Sequence, residues 1–502
     1  MKVKLLENEY WYGSCVKYGI KMPLHAESDC ELDFTRNETP NQAMPFLVSS
    51  KGRYLWKDTG FKIKFQQGKI EIPDDVTLRD GYSNMRDAYL AAMQEHFPFH
   101  KLTPAIELFR KVIYNTWIEF TFYQNQKDIL EYAQDILKHG MPSGVLMIDD
   151  GWSEAYGDWK FHSGKFHDAK KMIQTLHQMG FHVMLWICPY ISADTEAYRQ
   201  AVSKNILVKT PEGETYIAKW WNGYSAVLDM SNPQAREWLR LQLSKLQSIG
   251  IDGFKFDAGD SIYYRDDNIT YSNVTPDEQS RLWAEFGEEY KYNEYRVTFG
   301  AGGYRLLQRL CDKDHSWGDN GVASLIPDTL LQGITGHPFC CPDMVGGGEY
   351  LNFQKVTVSK LDQELFVRHS EIACLMPAIQ FSKAPFRILS DNNYDAIIRS
   401  LQVREQYLDL ILELINEASL TGEPVIRYMS YVFPEEPVEK ITDQFMLGNK
   451  LLVAPIYQKG SMGRELFLPK GTWQHKNETK ESKGETIYVN SIPGVPIIFE
   501  LI

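Results

Sequence analysis

The sequence predicts an α/β protein built around a (β/α)8 TIM barrel, flanked by an N-terminal β-sandwich-like domain and a C-terminal β domain. Three observations support this prediction. Short apolar runs, each followed by a turn and a helical pattern, recur from about residue 105 to residue 405. Apolar residues alternate with polar ones at period two before this region and again after it. Repeated βα units over about 300 residues favour a closed parallel barrel over an open sheet.

The 502 residues are too many for one ordinary core, and the change of pattern predicts three domains. Residues 1–100 form an N-terminal β domain, since residues 54–56, 61–65 and 70–72 alternate as strands do. Residues 101–410 form the barrel. Residues 411–502 form a C-terminal β domain, in which the helical patterns stop after about residue 420.

The barrel strands are predicted from apolar runs that end close to polar residues. Their predicted positions are residues 112–117, 144–148, 182–187, 251–256, 295–299, 336–342 and 375–381, with a sixth strand of unassigned bounds before Asp312. Helices are predicted at residues 127–140, 169–180, 233–250 and 280–292. The third helix has the clearest ends, because Ser231 and Asn232 precede Pro233 and Gly250 closes it.

Composition argues against several classes of partner. The net charge is −13, and the sequence shows no basic stripe that would neutralise phosphates, which argues against a nucleic acid or an anionic membrane as a partner. No apolar run suits a signal peptide or a membrane span, and the seven cysteines lack paired spacing, so we expect reduced thiols and a cytoplasmic location. HExxH, clustered Cys/His and P-loop motifs are absent from the sequence, so we expect neither a metal nor another cofactor. A homo-oligomer is compatible with the short N-terminal domain.

The fourth predicted strand ends in Lys255-Phe-Asp257, the most informative segment of the chain. Side chains alternate along a strand, so Lys255 and Asp257 point the same way. Burying both charges is costly unless they serve each other or a ligand. The ammonium would keep Asp257 ionised, as a carboxylate nucleophile requires, although a purely structural ion pair explains this segment alone equally well.

Polar and aromatic residues also follow the other predicted strands. In a β/α barrel such strand ends meet at the active-site face. Over all the predicted strands, including the fourth, the residues at these ends include Asp149, Asp150, Trp186, Lys255, Asp257, Arg296, Asp312, Asp314 and Asp343. Paired carboxylates beside aromatic residues, without a metal motif, indicate glycoside hydrolysis, in which one carboxylate attacks the anomeric carbon and another protonates the leaving oxygen.

The motifs at these strand ends resemble glycoside hydrolase family 31, a family of retaining α-glycosidases. The matching segments run from about residue 100 to the end and comprise Ile148-Asp-Asp-Gly-Trp152, Met184-Leu-Trp-Ile-Cys-Pro189, Gly253-Phe-Lys-Phe-Asp-Ala-Gly259, Gly336–Gly347 and Leu451-Leu-Val-Ala-Pro455. Tyr10-Trp-Tyr-Gly13 and Asp312–Gly318 resemble the branch of the myogenesis-regulating glycosidase, an α-galactosidase.

The resemblance implies a double displacement with Asp257 as nucleophile. Counting back from Ile326-Pro327 without a gap places the general acid/base at Asp314. The rival is Asp319, because Trp317-Gly-Asp-Asn320 is similar to a common family motif, although this alignment needs a deletion of five residues.

The resemblance also assigns the sugar-binding residues of an exo-acting enzyme on an oligosaccharide or other glycoside. They are Asp149 and Asp150 for O4 and O6, Trp186 as an apolar floor, Trp221 or Trp220 as a wall, Lys255, Arg296, Asp343 either as a residue that holds Arg296 or as a purely structural residue, and Gln380 or Ser382. Many α-glucosidases of the family carry Arg-x-His where this chain has residues 377–382. This departure and the Asp-Asp pair favour α-galactosides, with α-glucosides, α-xylosides and other α-glycosides as alternatives.

Two other functions remain open at the level of sequence. Lys255 could form a Schiff base, as in an aldolase, with Asp257 as its acid/base. The chain could also be a catalytically silent sugar-binding protein, since a fold does not guarantee activity.

Overall fold

The centre of the molecule is a parallel β barrel, seen in a computed structural model that describes residues 1–354 and 360–502. Hydrogen bonding orders the strands consecutively around the barrel, and the eighth pairs with the first. The strands are Ile113–Asn115, Val145–Ile148, His182–Ile187, Gly253–Phe256, Tyr292–Tyr295, Gln308–Arg309, Cys340–Cys341 with Met344–Val345, and Gln380–Phe381. The predicted (β/α)8 barrel is confirmed.

The seventh barrel strand is split into two pieces. Cys340–Cys341 pairs with the sixth strand, and Met344–Val345 pairs with the eighth. Pro342 between them has no N–H to donate, and Asp343 adopts a left-handed φ of 71°. The break therefore lets one strand complete the barrel while it turns at the face where the strands end.

Helices cover the outside of the barrel. The longer ones are Met85–His96, Gln126–Lys138, Ala169–Gln178, Glu196–Ser203, Pro233–Ser248, Pro276–Gly287, Val322–Ile334, Gln363–Ala373, Asp391–Gln406 and Leu408–Thr421. Short α-helical or 3-10 turns lie at Val16–Lys21, Glu107–Arg110, Trp117–Phe120, Ser261–Tyr263, Leu351–Gln354, Pro385–Ile388 and Met429–Val432. Residues 296–307, all described, join the fifth and sixth strands without a helix.

Two predicted elements are displaced along the chain. The helix predicted at residues 280–292 starts at Pro276, because Thr275 and Glu278 form a capping box, and it ends at Gly287. The fifth strand is Tyr292–Tyr295 rather than residues 295–299, so Arg296 follows the strand instead of lying within it. Arg296 nevertheless remains at the strand end that the active-site prediction requires.

The N-terminal region contains two four-stranded antiparallel sheets. In sheet order, one contains Lys2–Lys4, Lys69–Glu71, Lys62–Gln66 and Cys30–Asp33. The other contains Trp11–Cys15, Ala43–Ser49, Tyr54–Trp56 and Thr77–Arg79. Gln42, just before the inner strand Ala43–Ser49 of the second sheet, donates through Nε2 to the carbonyl oxygens of Arg296 (2.6 Å) and Arg309 (2.9 Å), which ties this sheet to the end of the fifth barrel strand and to the sixth strand.

The C-terminal region is also antiparallel. One sheet contains Ile426–Arg427, Phe445–Leu447, Leu451–Ala454, Ile497–Leu501, Gly471–His475 and Glu478–Ser482, and Gly463–Leu468 pairs with Glu485–Asn490. Alternate side chains of the first sheet enter different cores. Phe445 and Val453 join the large core shared with the barrel, whereas Met446 and Leu452 join a smaller cluster around Trp473.

Two hairpin-like insertions lie beside the barrel mouth. Ser153–Ala155 pairs with Asp158–Phe161, and Gly223–Val227 pairs with both Tyr190–Ser192 and Ile217–Trp220. No helix in the described ranges is long and apolar enough to cross a membrane.

Candidate active site

A cavity of about 440 Å³ opens where the barrel strands end. Seven predicted site residues line it, namely Asp149, Asp150, Trp186, Trp221, Lys255, Asp257 and Arg296. They come from four different strand ends and from the loop before Gly223–Val227. The barrel therefore brings together carboxylates, cations and indole rings that are widely separated in sequence.

Asp257 follows the fourth strand directly and is only 7% exposed. Its Oδ2 accepts a hydrogen bond from Trp186 Nε1 at 3.0 Å. Its Oδ1 accepts from Arg296 Nε at 3.1 Å and from the backbone N–H of Ala258 at 2.9 Å. Ala258 has a left-handed φ of 60°, which is costly for a residue with a Cβ and occurs here next to the predicted nucleophile.

Lys255 stands between Asp257 and Asp149, with its Nζ 2.7 Å from Asp149 Oδ2 and 3.8 Å from Asp257 Oδ2. Burial would raise the pKa of Asp257, but the positive charges of Arg296 and Lys255 outweigh burial and hold this pKa well below its ordinary value. Burial opposes the charged form of Lys255 as well, yet Asp149 raises the pKa of Lys255 above its usual range. A Schiff-base lysine needs the opposite shift, toward the free amine.

Arg296 is fixed by a second carboxylate. Its Nη2 and Nη1 donate to the two oxygens of Asp260 at 2.7 and 3.2 Å, and Nη1 also donates to the carbonyl of Pro40 at 2.9 Å. The guanidinium lies 5.3 Å from the ring centre of Trp221, which is 47% exposed. Asp260, rather than the predicted Asp343, thus holds Arg296 against the nucleophile.

Asp150 has a different environment from Asp149. Its Oδ2 accepts hydrogen bonds from Tyr156 Oη at 3.0 Å and from Asn222 Nδ2 at 2.7 Å. Burial and then the neighbouring charge of Asp149 raise the pKa of Asp150 to about 7. The pair therefore offers one carboxylate neutralised by Lys255 and one carboxyl group that titrates near neutral pH.

The loop between the sixth strand and helix Val322–Ile334 carries the candidate proton donors. Asp314 is half-buried and is not itself among the residues that line the cavity, but its Oδ2 accepts from Asn320 Nδ2 at 2.9 Å. Asn320 itself lines the cavity, as does Asp312, whose Oδ1 is bound by Arg309 Nη1 at 2.8 Å. Asp319, the rival in the alignment, is exposed and lies outside the cavity wall.

Asp343 and Gln380 lie outside the cavity wall, in the barrel interior. Asp343 Oδ1 accepts from Arg309 Nη1 at 2.5 Å, and its Oδ2 accepts from the backbone N–H of Lys313 at 2.7 Å. Gln380 Nε2 donates to Glu294 Oε2 at 2.6 Å. Both residues therefore support the loops and strands beneath the residues that line the cavity.

Several cavity residues were missed by the sequence analysis. They are Lys17, Glu38, Asn222, Asp260, Tyr263, Asn320 and Glu349. Asp260 could have been found, because it follows Asp257 by three positions at the same strand end. Lys17 carries no such signal, since 303 positions separate it from Asn320, which it contacts.

Glu349 adds another carboxyl group to the wall. Burial raises the pKa of Glu349, and the charges of Asp312 and Asp314 raise it further. Among the residues that the structure describes, no group of three or more His, Cys, Asp or Glu side chains is arranged to hold a metal ion.

Two family models match the chain. The model described as "Glycosyl hydrolases family 31 TIM-barrel domain" covers residues 107–414, and "Glycosyl hydrolase family 31 C-terminal domain" covers residues 422–498. The myogenesis-regulating glycosidase of Mus musculus is 34% identical over 409 residues, which span 78% of this chain and 56% of the relative. Alpha-glucosidase 2 of Bacillus thermoamyloliquefaciens is 24% identical over 386 residues, or 70% and 47% of the two chains. The chain spans about half the length of these curated relatives.

Solved structures share the fold. The Flavobacterium johnsoniae GH31 dextranase complexed with glucose superposes with a TM-score of 0.86 at 19% identity, covering 100% of this chain and 66% of that one. A GH31 family sulfoquinovosidase from E. rectale gives 0.83 at 19% identity, with coverage of 100% and 82%. The barrel model alone matches more than half of the residues. The resemblance in the strand-end motifs is therefore confirmed, and the chain belongs to glycosyl hydrolase family 31.

Proposed function

We propose that this chain is a retaining, exo-acting α-glycosidase that removes terminal α-linked sugars, with α-galactosides as its first substrate class. The observation that carries the proposal is the state of Asp257. Its carboxylate is buried at the cavity, bound by Trp186, Arg296 and a backbone N–H, and its pKa is held below the ordinary value. A carboxylate nucleophile needs this ionised state at neutral pH.

In the first step, an oxygen of Asp257 forms a bond to the anomeric carbon while the bond from that carbon to the leaving oxygen breaks. The electron pair of the broken bond goes to the leaving oxygen, which takes a proton from Asp314. In the second step, the oxygen of water forms a bond to the anomeric carbon while the bond from that carbon to Asp257 breaks and returns its electron pair to the Asp257 carboxylate, and the water gives a proton back to Asp314. Two inversions at the same carbon retain its configuration.

The environment of Asp257 accommodates the loss of its negative charge when the ester forms. Arg296 keeps its ion pair with Asp260, and Lys255 keeps its ion pair with Asp149, when the negative charge of Asp257 is consumed in the ester. Neither cation is then left as an uncompensated buried charge, which would cost several kcal/mol. The two outer carboxylates thus allow the nucleophile to change its charge within a buried site.

The choice of galactose rests on the Asp149-Asp150 pair and on the residues 377–382 that replace Arg-x-His. The names of the relatives include α-glucosidase, α-xylosidase and sulfoquinovosidase, which define the alternative sugars. Aryl α-glycosides of galactose, glucose, xylose, N-acetylgalactosamine and sulfoquinovose therefore form the test panel. The highest kcat/KM for the galactoside is the expected result. A tenfold preference for another sugar would replace galactose and leave the proposed mechanism intact.

The catalytic assignments are tested by substitution. Asp257→Ala is expected to lower kcat/KM for every substrate by at least about 10⁴-fold, because the bond between the nucleophile and the anomeric carbon can no longer form. Asp314→Ala is expected to cost about 10² to 10⁴-fold with a poor leaving group and much less with a good one. Asp319→Ala is the matched control, since its side chain is exposed. A larger loss in Asp319→Ala than in Asp314→Ala would reverse this assignment.

Two further measurements separate the alternatives. The anomer released first, followed by NMR, is expected to be the α form, and a β product would contradict retention. Asp312→Asn and Glu349→Gln test two carboxyl groups of the cavity wall as alternative proton donors. Sugar binding by calorimetry, without turnover of any glycoside in the panel, would support a catalytically silent sugar-binding protein instead.

A further inference from the structure

Asn320 connects the candidate general acid to a lysine of the N-terminal region. Its Nδ2 donates to Asp314 Oδ2 at 2.9 Å, and its Oδ1 accepts a hydrogen bond from Lys17 Nζ. Lys17 and Asn320 both line the cavity. The two ends of one amide are therefore occupied by a cation and a carboxyl group, which fixes the orientation of the amide.

The position of Lys17 is set by close packing between two elements. Lys17 lies in the 3-10 helix Val16–Lys21, which packs on helix Val322–Ile334. A Cβ on Gly19 would lie 2.5 Å from the carbonyl oxygen of Pro327, so the two helices approach as closely as a glycine allows. This packing places Lys17 near the start of helix Val322–Ile334. The loop of residues 310–321 that precedes this helix carries Asp314 and is called the acid loop below.

The backbone of the acid loop restrains Asp314 as well. The N–H of Asp314 donates to the carbonyl of Asn320 at 2.8 Å, and the Asp314 carbonyl accepts from the N–H of Ser316 at 2.8 Å. With Oδ2 held by Asn320, Asp314 Oδ1 has no hydrogen-bond partner among the described residues. Oδ1 is therefore the oxygen free to carry and transfer a proton.

We propose that Lys17 is a positioning residue that acts through Asn320 to orient Asp314 for protonation of the leaving oxygen. The inference rests on the proposed function of Asp314. The proton moves from Asp314 Oδ1 to the leaving oxygen as its bond to the anomeric carbon breaks, and Asp314 becomes a carboxylate whose Oδ2 still accepts from Asn320. Lys17 donates to Oδ1 of Asn320 and so keeps Nδ2 of the same amide directed at Asp314.

The test compares two α-galactosides that differ only in the leaving group, phenol and 2,4-dinitrophenol. A poor leaving group needs the proton, whereas a good one departs with little help. We expect Lys17→Met and Asn320→Ala each to lower kcat/KM for the phenyl substrate by about tenfold or more, within the range of general acid catalysis. Loss for the dinitrophenyl substrate should stay below about threefold. The parameter kcat/KM reports the glycosylation step, so a slower second step does not disturb the comparison.

Controls separate positioning from folding. Lys21→Met changes an exposed lysine of the same 3-10 helix, which lies over the Tyr18 ring, and should leave both substrates unchanged. Lys17→Arg keeps the cation and should restore most of the phenyl galactoside activity. The double variant Lys17→Met with Asn320→Ala should be no worse than Asn320→Ala alone, because both changes interrupt one path.

Failure of the positioning role of Lys17 can be distinguished from failure of Asp314 as the general acid. Equal losses on the two substrates in Lys17→Met, or additive losses in the double variant, would overturn the positioning role. If Asp314→Ala itself affected both leaving groups equally, the acid assignment would fail first. Thermal unfolding of each variant shows whether a loss of activity follows a loss of structure. If Lys17→Met is unfolded, the test is made on Lys17→Arg, whose loss of activity on the phenyl substrate should be small and should exceed any loss on the dinitrophenyl substrate.

Discussion

At the scale of single residues, Asp150 is the group that we expect to make substrate binding depend on pH. Because burial and Asp149 raise its pKa to about 7, Asp150 changes from a protonated carboxyl to a carboxylate across the neutral range. The carboxylate is the better acceptor for a sugar hydroxyl, so substrate binding should strengthen as the pH rises through about 7. We expect kcat/KM for an aryl α-galactoside to increase between about pH 6 and pH 8 with an apparent pKa near 7.

The variant Asp150→Asn provides the control for this profile. Its amide cannot ionise, so the rise near pH 7 should disappear while kcat/KM falls at every pH. Tyr156→Phe removes one donor to Asp150 and should move the rise to higher pH, since the hydrogen bond favours the charged form. An unchanged profile in Asp150→Asn would assign the rise to another group.

The sequence predicted the centre of the site better than its edges. Asp149, Asp150, Lys255 and Asp257 end buried strands, and strand alternation with barrel geometry is enough to place them together. The ion pair between Lys255 and Asp149 joins the ends of the second and fourth strands across the third, a contact that the sequence does not indicate. Lys17 is contributed by a different region altogether, so no local pattern indicates it.

At the scale of elements, prediction was least complete for the sixth and seventh strands. The sixth strand is Gln308–Arg309, two polar residues whose buried side chains are bonded within the protein, Gln308 to Thr298 and Arg309 to Asp343. The seventh strand is interrupted at Pro342 and Asp343. Its apolar run predicts where the strand lies but not where it is interrupted. Hydrophobic periodicity needs several consecutive residues, and a two-residue strand does not supply them.

The close approach of the 3-10 helix Val16–Lys21 to helix Val322–Ile334 supports a prediction at this scale. In Gly19→Ala the new Cβ would overlap the backbone of Pro327 and Asp328, and the helices must separate. We expect a loss of about 1–3 kcal/mol in the free energy of unfolding, measured with denaturant. Separation also withdraws Lys17 from Asn320, so the activity loss should be greater for the phenyl than for the dinitrophenyl galactoside.

A second glycine gives the matched comparison. Gly164 is exposed, and a Cβ there would meet only the end of the His162 side chain at 3.1 Å. Gly164→Ala should therefore leave stability within about 0.5 kcal/mol of the parent protein, as most surface substitutions do. Equal effects of the two substitutions would show that the helix contact does not set the position of Lys17.

At the scale of the whole molecule, the N-terminal sheets and the barrel share one core. Phe46 is fully buried and packs on Tyr54, Tyr89 and Phe97, with ring centres 5.4–6.3 Å apart. Tyr89 in turn donates through its hydroxyl to the carbonyl of Gly422 at 3.0 Å. Contacts thus run without interruption from the N-terminal sheet to the segment that follows the barrel helices, whereas the cluster around Trp473 is separate.

This continuity predicts how the molecule unfolds. Phe46→Ala should destabilise the protein by about 3–5 kcal/mol, because it leaves a cavity in a core that two regions share. The N-terminal region also supplies Lys17 and the Pro40 carbonyl to the site, so helical circular dichroism and glycosidase activity should be lost at the same lowered temperature. Tyr488→Ala, at a site that is 62% exposed, is the control and should change neither midpoint. A first transition that abolished activity but preserved the helical signal would instead make the N-terminal sheets a separately folding unit, docked on a barrel that is stable without them.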